Sequence, residues 1–104
     1  MIFTRGEAWV YQQVERIDPR LFARIRRHVR RGQWEVVGGW HIQPDCNFPL
    51  GESFRRQIEL GRRYFTRAFG RFPRVGFNVD SFGHNAALPG LMRAAGQRAY
   101  VMMR

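Results

Sequence analysis

The chain has 104 residues, 18 of them basic and 8 acidic, for a formal charge of +10. At that length one modest hydrophobic core is possible and a two-domain enzyme is not. An apolar share of 44% with 25% charged residues excludes a disordered chain, and no stretch approaches the roughly 20 apolar residues that a bilayer crossing needs.

Residues 7–17 place Ala8, Tyr11, Val14 and Glu15 at near-helical spacing, which predicts a short first helix. Asp18 and Pro19 then form a start signal for a second helix. An aspartate accepts from the free amides of a first turn, and proline loses nothing at the first helical position. This helix is expected to run to about Arg31 and stop at Gly32. Trp34, Glu35, Val36 and Val37 predict a strand, and Gly38 to Pro49 a loop long enough to suspect function. A third helix is expected from Gly51 or Glu52 through Phe54, Ile58, Leu60, Tyr64, Phe65 and Phe69 to Gly70. Val75 to Val79 read as a buried strand ending at Asp80. Ser81 to Asn85 form a loop, Leu88 to Ala95 a fourth helix capped by Gly96, and Ala99 to Met102 a last strand. Strands separated by helices of this size imply parallel pairing through right-handed crossovers, hence an α/β fold with about three strands in a parallel sheet or barrel.

All 18 basic residues are arginine, which points to a genome-wide bias, of the kind found in GC-rich bacteria, more than to a contact surface mixing two cation types. Arg20, Arg24, Arg26, Arg27, Arg30 and Arg31 form a dense run that permits a basic nucleic-acid-binding module as an alternative. The plainer expectation is that Arg24, Arg27 and Arg31 share a solvated face while Leu21, Phe22, Ile25 and Val29 face inward. No signal peptide is read at the start, and the one cysteine, Cys46, suits a reducing compartment, so a cytoplasmic bacterial setting is expected.

In parallel α/β folds the reactive groups gather where the strands end. Three loops should reach one rim, from Gly38 to Pro49, from Asp80 to Asn85, and at Arg104. Asp80 and Arg104 stand one loop, helix and strand apart and should lie side by side, where the guanidinium keeps the carboxylate ionised. An ionised carboxylate suits a nucleophile or a metal ligand; a helix N-cap is the other use of an aspartate here. His84 could join Asp80 as a metal ligand, although two groups fall short of the three or four that a site requires. His28 is expected on the surface, His41 has no supporting partner, and Cys46 lacks a second ligand at a zinc spacing. Asp45 and Asn47 could bind a polar ligand or make an ordinary turn. Trp40 and Phe82 carry flat apolar faces that can stack on a sugar ring, or simply fill a core.

Taken in order, Gly38-Gly39-Trp40, Pro44-Asp45-Cys46-Asn47, Gly51-Glu52-Ser53, Arg56-Gln57 to Arg63-Tyr64-Phe65, Asn78-Val79-Asp80-Ser81-Phe82-Gly83-His84 and Tyr100 to Arg104 resemble the retaining α-mannosidases of glycoside hydrolase family 38. The resemblance covers nearly the whole chain. It implies a partial parallel (β/α) barrel of the glycoside hydrolase/deacetylase type, acting on terminal α-mannosides with a divalent metal, usually Zn2+. It implies that Asp80 is both nucleophile and metal ligand, that Phe82 lies beside the sugar and that Arg104 adjoins the nucleophile. Trp40 and Asp45 are the further substrate-binding candidates. A related metal-dependent sugar hydrolase or deacetylase is the neighbouring reading. The family's His-x-Asp metal pair is not found here, and the further histidine and the acid/base aspartate belong to later strands. The expectation is therefore an internal piece, residues 1–104, of one catalytic domain, inactive without the remainder of that domain.

Overall fold

The joint between the first two helices forms as its local chemistry requires. In the computed structural model, which describes residues 1–49 and 51–103, the Asp18 carboxylate accepts from the Leu21 amide at 2.9 Å and Pro19 opens the helix. The order along the chain is β1 (Phe3–Arg5), α1 (Ala8–Ile17), α2 (Pro19–Arg30), β2 (Trp34–Val36), α3 (Gly51–Phe69), β3 (Val75–Val79), α4 (Leu88–Ala94) and β4 (Ala99–Met103).

The α/β class and the parallel pairing hold, but the strands are arranged differently from the expected sheet of three. β1 is an additional strand, and the four strands form two parallel pairs, β1 with β2 and β3 with β4. Three exposed residues, Phe-Thr-Arg, are too few to show a period-two pattern; β1 exists because it pairs Phe3 with Trp34 and Arg5 with Val36. β2 and β3 form no ladder with each other among the described residues, and the chain leaves β2 through Gly38 and Gly39, both at φ 76. Only glycine adopts that conformation freely, and it turns the chain out of strand geometry. One backbone bond, from the Gly38 amide to the Val75 carbonyl at 2.8 Å, links the two pairs.

Two hydrophobic clusters lie against these strands. Tyr11, Phe22, Ile25, Val29, Val36, Tyr64 and Phe65 form the first, and Trp40, Cys46, Phe54, Ile58, Leu88 and Met92 form the second. α3 serves both because residues 54, 58, 61, 65 and 68 fall on one helical stripe. At the crossover between clusters stands Gly61, where an added Cβ would lie 2.0 Å from the Gly39 carbonyl oxygen. Full burial of a side chain such as Phe65 contributes about 1.5–3 kcal/mol. Within the first cluster the Trp34 indole donates to the Tyr11 hydroxyl at 2.8 Å, and that hydroxyl donates to the Arg5 carbonyl at 2.9 Å. Burial pushes the Tyr11 phenol up to about 12, with the Trp34 bond opposing the shift.

On α2, Phe22, Ile25 and Val29 are buried, while its five arginines from Arg20 to Arg30 and Arg31 at its C-cap are exposed. Leu21 departs from the expected inward face; it is 39% exposed and borders an apolar surface with Trp9, Val14 and Ile17. His28 is partly covered, its Nδ1 lying 2.9 Å from Gln33 Oε1. No helix among the described residues is long and apolar enough to cross a membrane.

Candidate functional site

After Gly38 the chain runs along β3 from its start to its carboxyl end. Gly38 bonds Val75, and further on the Gln43 side-chain amide donates to the Val79 carbonyl. Val79's amide faces Gln43 Oε1 at 3.4 Å. The Pro44 carbonyl accepts from Asn78 Nδ2 at 3.0 Å. The loop thereby reaches the end of β3, where Asn47 Nδ2 donates to the Phe82 carbonyl at 3.0 Å. Gly83, at φ 99, gives way to this contact, since a Cβ there would sit 2.4 Å from Asn47 Nδ2. Residues 45–48 and 81–84 thus form one loop cluster at the end of β3.

Asp80 opens that cluster. It is exposed, its amide donates to the Met103 carbonyl at 3.1 Å, and its φ is 62. A non-glycine residue in the left-handed region is uncommon and concentrates at functional positions. The alternative use as a helix cap does not apply: α4 starts at Leu88, its N-cap is Ala87, and the nearby Asn85 carboxamide accepts the Ala87 amide at 2.8 Å. Phe82, two residues on, is 73% exposed.

Asp45 closes a turn, its Oδ1 accepting from the Asn47 amide at 2.8 Å and the Phe48 amide at 3.0 Å. Those two amides hold its carboxyl below the usual range. Oδ2 takes no part in the turn. Trp40 corrects the expectation of a stacking platform. It is 1% exposed, stacked on Tyr100 with ring centroids 6.2 Å apart and edge-on to Phe54 at 6.0 Å. Its indole donates to Gln97 Oε1 at 3.0 Å, so the ring is core and no sugar reaches it. Arg104 lies outside the described residues.

Beneath the rim runs a partly buried polar chain. His84 Nδ1 lies 2.8 Å from the Tyr100 hydroxyl, which lies 3.7 Å from Cys46 Sγ. Asn78 Nδ2 donates to that sulfur at 2.8 Å. Burial first, then the bond to Cys46, raises the Tyr100 phenol well above its ordinary value. His84 is therefore tied into packing, and among the described residues no group of three His, Cys, Asp or Glu could hold a metal ion. A single carboxylate does not by itself make a zinc site.

Sequence reasoning missed Gln43, Asn78 and Gln97. Asn78 and Gln97 are buried, and the one available signal was a polar residue inside the apolar run Val-Gly-Phe-Asn-Val. Gln43, in a loop, carried no such mark.

Comparison with known proteins identifies the family and agrees with the fold. The sequence model of the glycosyl hydrolases family 38 N-terminal domain matches residues 1–104. Alpha-mannosidase G of Dictyostelium discoideum is 36% identical over 102 residues, spanning 98% of this chain and 9% of that protein. Human alpha-mannosidase 2C1 is 33% identical over 103 residues, spanning 99% of this chain and 10% of that protein. The crystal structure of an alpha-mannosidase from Enterococcus faecalis V583 superposes with a TM-score of 0.83 at 20% identity, over 97% of this chain and 11% of that one. The chain spans about a tenth of the length of the curated relatives it matches. With every residue of the chain inside the family match, the protein belongs to glycosyl hydrolase family 38, within the N-terminal domain.

Proposed function

We propose that this chain is the nucleophile-bearing segment of a retaining α-mannosidase, with Asp80 as the nucleophile. The observation that carries the reading is Asp80 itself, an exposed carboxylate in a left-handed conformation at the end of a parallel strand, inside a loop cluster that also presents Phe82. The relatives' names supply the substrate class.

In this reading a carboxylate oxygen of Asp80 bonds to the anomeric carbon as the bond from that carbon to the aglycone oxygen breaks. The departing oxygen keeps the electron pair and takes a proton from a second carboxyl about 5 Å from the nucleophile. Water, deprotonated by that second group, then displaces Asp80. Phe82 offers its ring to the sugar's apolar face, Asp45 Oδ2 accepts from a hydroxyl, and Arg104 is a further substrate-binding residue. The second carboxyl, and the further ligands of any zinc ion that Asp80 shares, come from the remainder of a larger catalytic domain. Support for a continuing α/β barrel comes from β4, where Val101, Met102 and Met103 are 47%, 58% and 63% exposed. A strand of a parallel sheet ordinarily has both faces covered.

The test places residues 1–104 in a characterised family 38 α-mannosidase in exchange for its matching segment. The graft should release 4-nitrophenol from its α-mannoside, and Asp80→Asn should lower kcat at least about 10³-fold. Undiminished activity in Asp80→Asn overturns the reading.

A further inference from the structure

We propose that Gln43 is a positioning residue that sets the conformation of Asp80 by gripping the peptide unit between Val79 and Asp80. This inference deepens the reading of Asp80 as nucleophile and rests on it for its catalytic meaning, although the geometry can be tested without any activity.

A peptide unit is planar, so fixing the direction of its C=O and its N–H fixes the two torsions that flank it, ψ of Val79 and φ of Asp80. Both ends of this unit are held. The carbonyl of Val79 accepts from Gln43 Nε2, and the amide of Asp80 donates to the Met103 carbonyl at 3.1 Å. The result is φ 62 at Asp80, a conformation that costs a residue bearing a Cβ roughly 1–2 kcal/mol. Without the grip on the carbonyl, the unit can rotate and Asp80 can relax to negative φ, which swings its Cβ and carboxylate away from their present direction.

Gln43 is itself anchored. Its amide donates to Glu7 Oε1 at 3.1 Å, and the other oxygen of Glu7 pairs with Arg5 Nη2 at 2.8 Å. Glu7, at φ 57, is the other non-glycine residue at positive φ among the described residues. The two positive-φ residues, Glu7 and Asp80, thus lie on one relay that runs from Arg5 on β1 through Glu7 and Gln43 to Asp80 beyond β3. Backbone strain at two of its members is what a device that spends packing energy on local geometry would show. A carboxamide is required at its centre: it donates to a carbonyl while its oxygen faces an amide, which neither a hydrocarbon nor a carboxylate can do.

The experiment uses the full 104-residue chain, isotopically labelled, with Gln43→Met and Gln43→Glu. The readout is the set of one-bond and three-bond couplings at Asp80, which distinguish positive from negative φ, together with hydrogen exchange of the Asp80 amide. In Gln43→Met the Asp80 couplings should move to the negative-φ range and its amide should exchange about five- to tenfold faster, as the loss of one hydrogen bond predicts. Amides of α2, in the first core, should keep native shifts. In Gln43→Glu the same change should appear at neutral pH and reverse on acidification, because a protonated carboxyl can again donate to the Val79 carbonyl. Native couplings at Asp80 in either variant at neutral pH overturn the proposal. Loss of the whole fold in both variants also overturns it, since a local grip cannot carry both cores. Failure of the glycosidase reading would instead appear in the grafted enzyme and leave these couplings unchanged.

Discussion

Replacing Gln97 by methionine should remove a large share of this chain's stability. Gln97 is 4% exposed and accepts the Trp40 indole N–H at 3.0 Å. Its Nε2 donates to the Gly38 carbonyl at 2.7 Å and, at a longer 3.3 Å, to the Pro73 carbonyl. Methionine matches the length of glutamine but leaves the Trp40 N–H and the Gly38 carbonyl buried without partners. Each orphaned group costs about 1–3 kcal/mol, and with partial relaxation the pair should cost about 3 kcal/mol. For a chain of this size that corresponds to a fall in Tm of roughly 12–24 °C. Urea unfolding followed by far-ultraviolet circular dichroism measures the loss. A cycle with Trp40→Phe then isolates the indole bond and should give a coupling of about 1 kcal/mol. A Gln97→Met chain within about 0.5 kcal/mol of the parent, or a coupling of zero, would refute the argument.

Two glycines should respond in opposite directions. Gly61→Ala drives a methyl against the Gly39 backbone and should cost about 3 kcal/mol or more. Gly90→Ala, in α4 with nothing within 4 Å, should stabilise by up to about 1 kcal/mol; paired thermal melts compare them. Asp18→Ala removes the cap on Leu21 and should cost about 1 kcal/mol. In acid, the bond from Arg67 holds Glu15 below its ordinary value, and the bond from Arg55 pulls Glu52 from 4.5 down to about 2. Groups whose folded value is depressed contribute stability above the unfolded value and lose it as pH falls through the folded one. Stability should therefore decline from about pH 4.5 toward pH 2, and Arg67→Met should make that decline shallower in a series of urea midpoints.

What is legible in this sequence is what depends on neighbours in the chain. The Asp18-Pro19 start, the stripe of α3 and the strand ending at Asp80 each follow from local chemistry, and each is found where it is expected. β1 is not legible, because three exposed residues become a strand only through Trp34 to Val36. Trp40 could be read as platform or core; burial was settled by Phe54, Tyr100 and Gln97, which arrive from α3, β4 and the connection between α4 and β4. The position of Asp80 beyond a strand is local information, whereas its left-handed φ depends on the bond that Gln43 makes to the Val79 carbonyl across 36 positions.

The central claim is that Asp80 forms the bond to the sugar. In the grafted enzyme, a 5-fluoro mannosyl fluoride slows turnover of the covalent intermediate enough for it to accumulate, because fluorine disfavours the oxocarbenium-like transition states on either side. Proteolysis and mass spectrometry should find one fluoromannosyl group on the peptide carrying Asp80, at that side chain. The same group on Asp45 or any other carboxylate, or turnover with no covalent adduct, would contradict the account.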